Sequence, residues 1–333
     1  MPLRVDIAVF AHNEAAGIAA MLRGLLAQDI FTTGDISARV LVLANGCTDD
    51  TVRQATMPGA EVADLAEAGK SRTWNRFVHG LSAPECGVLI FCDADITLPR
   101  PDSLTRLALA LAAGQGPLVM NSQPVKDIAV DPRGLTALDR IIAAAGGGLD
   151  DWKTAICGQL YAMPAGAARR IHLPIGLPVE DGFLRAMVLT DALTGPEDFA
   201  RIDGLEGLFH IYASERSIAA LIRHQTRIVI GSAINAACFA HLRGLPAAER
   251  LAELARAAND DGWLARVMGA QLPRWYGYVP LHFATRRLTR LVRRGQTPGL
   301  RAILLAIPGF GFDLIVYLNA QIRMAFGTGA GHW

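Results

Sequence analysis

Short apolar runs alternate with helix-like segments through the first half of the chain, and this alternation most restricts the fold. Val5–Phe10, Arg39–Ala44 and Val88–Cys92 are short and mostly apolar. Runs of that length and character suit strands buried on both faces. Ala15–Ala27, Thr48–Ala55 and Asp102–Ala113 read as helices, the last with Asp102 or Ser103 as N-cap. Leu118–Asn121 reads as a further strand. Strands interleaved with helices imply an α/β fold, with a mostly parallel central sheet flanked by helices.

In open sheets of this kind ligands bind beyond the carboxyl ends of the strands, and the polar residues fall there. His12-Asn13-Glu14 follows the first run, Asn45-Gly46 the second, and Asp93-Ala94-Asp95 closes Val88–Cys92. Two carboxylates one residue apart past a buried strand suit a hard divalent cation, which takes oxygen ligands and keeps room for phosphate. The other reading of this triplet is turn formation. Glu180-Asp181 stands between Gly/Pro punctuation and an apolar helix. One of these carboxylates either deprotonates a hydroxyl or simply opposes the helix dipole. Lys70 and Arg72 follow Gly69 into a helix, where a cation meets phosphate or a base edge. The spacing is not that of a P-loop, and no Gly-x-Gly-x-x-Gly turn follows the first strand.

The middle of the chain is less regular. A helix is expected over 134–145, followed by glycines 146–148, an apolar stretch Ile156–Met163, a loop Pro174–Pro178 and a helix from Glu180. His210–Ala213 reads as a strand and Ser217–His224 as a helix. Trp152 is either a sugar- or lipid-contacting aromatic or a core residue. His12, His210, His224 and His241 are better read as hydrogen-bonded structural residues than as metal ligands.

A net charge of +1 gives no case for nucleic-acid binding. Five cysteines, an odd number without Cys-x-x-Cys spacing, argue against a disulfide framework or structural zinc. Reduced thiols and the lack of a leader-like opening suggest a cytoplasmic protein. Leu245–Ala258 reads as a helix, and Pro280–Arg294 as an amphipathic one with an arginine side. That side is either a solvated face or one that meets an anionic membrane. Ala302–Ile322 has the length of a membrane span, but Pro308-Gly309 and Asp313 interrupt it. A pair of short helices, packed on the catalytic domain or lying in the membrane interface, is expected instead.

Together these residues resemble the family 2 glycosyltransferases, which have the GT-A fold. The resemblance runs from about residue 3 to 240. It rests on Val5–Gly17 with its Asn-Glu turn, Val40–Thr51, Gly69–Asn75, Phe91–Asp95, Glu180-Asp181, and Gln225-Thr226-Arg227 with Gly231. It implies a GT-A catalytic domain over 1–240 and a helical C-terminal extension over 241–333. It further implies an inverting transfer of a sugar from a nucleotide-diphospho-sugar, with a UDP-sugar favoured, to an acceptor hydroxyl, assisted by Mg²⁺ or Mn²⁺. In that scheme Ala11, Asn13, Glu14 and Asn45 hold the nucleotide, and Lys70 assists. Asp93 faces ribose or metal-bound water, and Asp95 ligates the metal. Gly158 lines the donor-sugar pocket, while Gln225 and Arg227 approach diphosphate or acceptor. Asp181 is the base, with Glu180 beside it. If the tail meets a membrane, the acceptor is a lipid or lipid-linked.

Two positions depart from the pattern. Ala44-Asn45 stands where many members have two aspartates, so the usual charge opposite uracil is missing. Ile228 stands where processive members have Trp, which implies transfer of a single sugar. Two other readings compete. A metal-dependent nucleotidyltransferase would carry a Gly-rich basic loop where this chain has His12-Asn13-Glu14. A catalytically inactive, membrane-associated binder of nucleotide sugars has no need of Asp93, Asp95 and Asp181 together.

Overall fold

The computed structural model describes residues 1–112, 114, 116–131, 133–136, 139–140, 151–272, 277–293 and 300–327. Among these, the strands are β1 Leu3–Ala11, β2 Ile36–Asn45, β3 Ala60–Leu65, β4 Val88–Asp93, β5 Ile96–Thr97, β6 Val119–Lys126, β7 Leu160–Pro164 and β8 Ile202–Tyr212. They form one sheet in the order β3-β2-β1-β4-β7-β6-β8-β5. Strands β3, β2, β1 and β4 pair in parallel, and β8 runs parallel to β6. Strands β7 and β5 run against their neighbours. The sheet is therefore mostly parallel, with two reversed strands.

The helices are α1 Ile18–Leu26, α2 Thr51–Ala55, α3 Lys70–Arg76, α4 Ser103–Ala112, α5 Asp127–Val130, α6 Ala165–Ala168, α7 Glu180–Thr190, α8 Ile218–Arg243, α9 Ala247–Ala257, α10 Trp263–Gln271, α11 His282–Arg293 and α12 Leu300–Ala325. Side chains alternate across each strand. Val5, Ile7 and Val9 of β1 pack with Ile18, Leu22, Leu104 and Leu107 of α1 and α4. Ala8 and Phe10 turn to the other face, with Trp74, Phe77, Phe183 and Val229 from around α3, α7 and α8. On that face Trp74 stacks on Phe91 at 5.6 Å, and Phe91 on Tyr161 at 4.7 Å. The Trp74 indole N–H donates to the Tyr161 hydroxyl at 3.0 Å. Burial of each large side chain contributes about 1.5–3 kcal/mol, so this aromatic layer fixes α3 firmly against β4 and β7.

Helix α8 extends well beyond the expected Ser217–His224 and carries the chain across residue 240. Val279, Val316 and Ala320 from the C-terminal region share the hydrophobic cluster of Phe91 and Phe183. The tail is not the expected pair of short helices: α12 continues through Pro308. Pro308 is exposed, so water can serve the carbonyl one turn earlier that loses its N–H partner. Asp313 is buried and accepts from Arg286 Nε at 3.3 Å, which removes the cost of an unpaired charge inside the packing. Among the described residues no helix is long and apolar enough to cross a membrane. The helix expected over 134–145 and the glycines at 146–148 lie largely outside the described residues. Strand β8 begins at Ile202, eight residues before the expected start.

Candidate active site

Parallel strands β1, β2 and β4 end together, with Ala11 beside Ala44 and Phe10 beside Asp93. The loop after β1 is pinned to the turn after β2. Asn13, at φ 57°, accepts from the Thr48 backbone N–H at 2.8 Å. The Glu14 N–H donates to Thr51 Oγ1 at 2.7 Å, and the Ala15 N–H to Asp49 Oδ2 at 3.1 Å. Asn tolerates the left-handed backbone that this turn needs. Asn45 is buried, and its Oδ1 accepts from the Gly69 N–H at 2.8 Å and the Thr73 hydroxyl at 2.9 Å. It therefore ties the end of β2 to the start of α3.

That tie places Lys70 at the centre of the carboxylates. Its Nζ lies 2.6 Å from Asp93 Oδ1 and 3.3 Å from Glu180 Oε1. It also donates to the Gly158 carbonyl at 3.2 Å. Burial alone would push the lysine pKa down. Asp93, then Glu180 and Asp181, outweigh it and hold Lys70 well above the ordinary range. Burial raises Asp93 to about 6, against the pull of Lys70, and Asp95 and Glu180 push the same way as burial. Burial likewise raises Asp181 to about 6, with Glu180 adding and Lys70 and Arg227 opposing. Glu14 is raised by burial and by the charges of Asp95 and Asp49. One buried cation thus faces more carboxylates than it can neutralise.

The reversed strand β7 completes the site from the other direction. Because Leu160 pairs with Cys92, the segment before β7 arrives at the carboxyl end of β4. The Asp93 N–H donates to the Gln159 carbonyl at 2.8 Å. A β-carbon on Gly158 would sit 3.4 Å from Asp181 Oδ2, so the lack of a side chain keeps the face of that carboxylate clear. Two residues to which sequence reading assigns no role hold this arrangement: Asn121, which it does not single out, and Gly231, which it quotes only as part of the Gln225–Arg227 motif. Buried Asn121 donates to the carbonyls of Trp152, Ala155 and Asp203 and accepts from the Cys157 N–H. It clamps the loop that delivers Gly158, and a buried Asn on a strand beside an irregular segment was its only sequence signal. Gly231 lets α8 lie against Val179, whose Cγ2 would be 2.3 Å from a β-carbon there. Asn235 Nδ2 also donates to the Val179 carbonyl at 3.1 Å, which sets the start of α7 and so the position of Glu180 and Asp181.

The remaining candidates are placed as follows. Asp95 is exposed at the mouth of the site. Arg227 is exposed on α8, close enough for its charge to act on Asp181. Gln225 points to the C-terminal helices, where its Oε1 accepts from Arg286 Nη2 at 2.8 Å. Trp152 is buried, which favours its core reading. His12 contacts the Asn45 carbonyl at 2.6 Å, His224 lies against Glu215, and His241 against Glu253. His210 is buried between Ser122 and Gln159, and burial pushes it down to about 3. The five cysteines are free, four of them buried.

A divalent cation suits this donor set. Asp95 adds an exposed carboxylate to a site with surplus negative charge, and Mg²⁺ is usually held by one or two carboxylates plus phosphate oxygens and water. Among the described residues no three His, Cys, Asp or Glu side chains converge as a ready-made metal cage, so substrate would supply the other ligands. A cavity of about 330 Å³ lined by Leu118, Met163, Met187 and Val188 lies at the opposite edge of the sheet, without such a cluster.

No protein-family model matches the sequence, and no curated protein does. Among solved structures the chain is similar to a mannosyltransferase from Pyrobaculum calidifontis in complex with GDP-Man and Mn²⁺. The two share 15% identity at a TM-score of 0.54, over 96% of this chain and 87% of that one. A glucosyl-3-phosphoglycerate synthase from Mycobacterium tuberculosis, in complex with Mn²⁺, UDP-glucose and phosphoglyceric acid, is 19% identical at a TM-score of 0.48, over 73% of this chain and 81% of that one. The first likeness, spanning nearly the whole chain, shows that the fold is GT-A.

Proposed function

We propose that the chain is an inverting glycosyltransferase of the family 2 type, moving a sugar from a nucleotide-diphospho-sugar to an acceptor hydroxyl with Mg²⁺ or Mn²⁺. The observation that carries this reading is the Lys70 cluster. Residues 70, 93, 158 and 180 come from separate segments and meet within hydrogen-bond or ion-pair distance at the carboxyl edge of the sheet. The similar mannosyltransferase, solved with GDP-Man and Mn²⁺, supports the donor class and the metal.

In this reading Asn13, Glu14 and Asn45, at the ends of β1 and β2, hold the nucleotide beside Ala11. A diphosphate cannot approach Asp93, Asp95, Glu180 and Asp181 without compensating charge, and Lys70 supplies one part of it. Asp95, with Asp93 behind it, would hold the metal ion. When bound, that ion neutralises the charge that builds on the departing diphosphate. Asp181 takes the proton from the acceptor hydroxyl. Its pKa of about 6 leaves it ionised at neutral pH yet basic enough for the task. The acceptor oxygen bonds to the anomeric carbon from the face opposite the diphosphate, the bond from that carbon to the phosphate oxygen breaks, and the configuration inverts. Arg227 stands near Asp181 for the diphosphate or acceptor, and Gly158 leaves room for the donor sugar. Gln225, held by Arg286, supports this edge rather than facing it.

The uncharged Asn45 leaves UDP-sugars favoured but not exclusive, so the donor base is an outcome of the test. The acceptor is proposed to be a lipid or lipid-linked hydroxyl, with the chain peripheral at the cytoplasmic face of a membrane. The arginines and apolar residues of the C-terminal region support that. The test is a panel of nucleotide sugars with Mn²⁺, scored by nucleoside diphosphate release from wild type and Asp181→Asn. Release by wild type alone is expected. Equal release by both would remove Asp181 from the base role.

A further inference from the structure

Helix α12 has two unlike faces. Asp313, Val316 and Ala320 are buried against the rest of the chain. Ile307, Leu314, Ile315, Leu318 and Ile322 are exposed at 66%, 37%, 49%, 50% and 55%. At 3.6 residues per turn these five fall within an arc of about 100°, opposite the buried face, along about 22 Å of helix. Phe326, just past the helix end, is exposed at 79%. Single exposed apolar residues are ordinary, whereas a continuous stripe of them marks a contact surface.

The charge of the region identifies the partner. From residue 282 to the last residue the sequence holds seven arginines, one aspartate and neither lysine nor glutamate. The aspartate is Asp313, buried and paired with Arg286. Because the whole chain has a net charge of only +1, the preceding part is net negative and the basic surplus falls, along the sequence, in the stretch that holds α11 and α12. Helices α11 and α12 pack on each other. A two-fold contact between copies through this stripe would bring two such basic regions together, which opposes self-association. An anionic bilayer satisfies both halves: its interface takes the apolar stripe, and its headgroups meet the arginines.

We propose that the outward face of α12 lies flat in the interface of an anionic lipid bilayer. Arg286 fixes what that docking does to the site. It bridges Asp313 of the docking helix and Gln225 of α8, two residues before Arg227, whose charge reaches Asp181. The docked helix is thereby joined to the Arg227 edge of the candidate site. Docking deepens the membrane association proposed above by naming the helix face and the lipid charge, and it does not depend on the transferase chemistry. Only the identity of what the docked site acts on rests on the transferase reading.

The experiment is flotation of the full chain with phosphatidylcholine vesicles, with and without phosphatidylglycerol. Wild type is expected to float with the anionic vesicles, at least about tenfold more than with phosphatidylcholine alone, and to be released as salt shortens the Debye length. Leu318→Glu with Ile322→Glu should weaken binding about tenfold or more without lowering the melting temperature, because both sites are exposed. Asp181→Asn should float like wild type, which separates failure of docking from failure of the transferase reading. Arg323→Glu, at another exposed position on α12, should weaken binding several-fold and serves if the double variant fails to fold. No flotation of wild type, or unchanged flotation of well-folded variants, would overturn the proposal. So would a wild-type dimer in sedimentation that the variants convert to monomer without any vesicle binding.

Discussion

The two halves of the sheet reach the same edge by opposite routes. In β3, β2, β1 and β4 every strand runs the same way, so each contributes the residues that follow it: Asn13 and Glu14 after β1, Asn45 at the end of β2, Asp93 and Asp95 at the end of β4. In the other half β7 is reversed, and it contributes the residues that precede it, Gly158 and Gln159. The parallel half has its turns bonded to one another, as Asn13 is to Thr48. The mixed half is held by buried contacts to its loops, Asn121 on the 152–157 loop and Gly231 against Val179. On the proposed reading the parallel half serves the nucleotide and the mixed half positions the base. Damage to the two should therefore separate in binding and turnover.

The sharpest way to break that division is Asp181→Asn. Loss of a general base is expected to lower kcat by about 10²–10⁴-fold, with nucleotide affinity held within about twofold. Titration calorimetry beside a transfer assay checks both, and a matching loss of affinity would merge the two halves into one function. Next in size is Asn121→Ala. It strands the Cys157 N–H and removes a donor from three carbonyls, at a cost of about 2–4 kcal/mol by urea unfolding. Were Asn121 only a local contact, the cost would stay under about 1 kcal/mol.

Asp181 also makes a stability prediction. Its carboxyl has a folded-state value of about 6 against an ordinary 3.8, so the fold favours the protonated form. That contribution is fully present below about pH 4 and is lost as pH rises through about 6. Asp181→Asn mimics the neutral form and should unfold less readily than wild type above pH 7, by about 2–3 kcal/mol. The advantage should vanish near pH 4. A variant without this advantage at pH 8 would place the carboxylate in a better-solvated setting. The same ionisation predicts that wild-type turnover falls as pH drops through about 6. The smallest effect is expected from Gly231→Ala. Displacing Val179 costs about 1–3 kcal/mol and should lower kcat more than nucleotide affinity, since it moves the start of α7 and leaves β1 and β2 alone.

The contrast between the halves also explains what was legible in the sequence. Strands β1, β2 and β4 announce themselves as apolar runs because both faces are covered, and the polar residues at their ends mark the site. Strand β3 escaped because Ala60–Leu65 is only partly buried and carries Glu61 and Asp64 within it. The reversal of β7 cannot be read from Leu160–Pro164, because apolar pattern reports burial and not direction. Strand β8 was seen only at its end, because Ile202–Tyr212 begins with glycine and acidic residues. Lys70 could be suspected of contacting phosphate, but its pairing with Asp93 and Glu180 depends on contacts across more than twenty residues. In the tail the sequence marks Pro308 and Asp313 as interruptions. Neither ends the helix, since Arg286 neutralises buried Asp313 and Pro308 faces solvent, where water can serve the carbonyl that loses its partner.

The central claim is that the Lys70 cluster works with a metal ion to release a nucleoside diphosphate. The most direct measurement is product analysis after incubation of wild type and Asp95→Ala with nucleotide sugars, with and without Mn²⁺. The account predicts nucleoside diphosphate as the nucleotide product, released by wild type only with the metal and not by Asp95→Ala. Formation of pyrophosphate from nucleoside triphosphates and sugar phosphates, or equal metal-free release by both proteins, would contradict it.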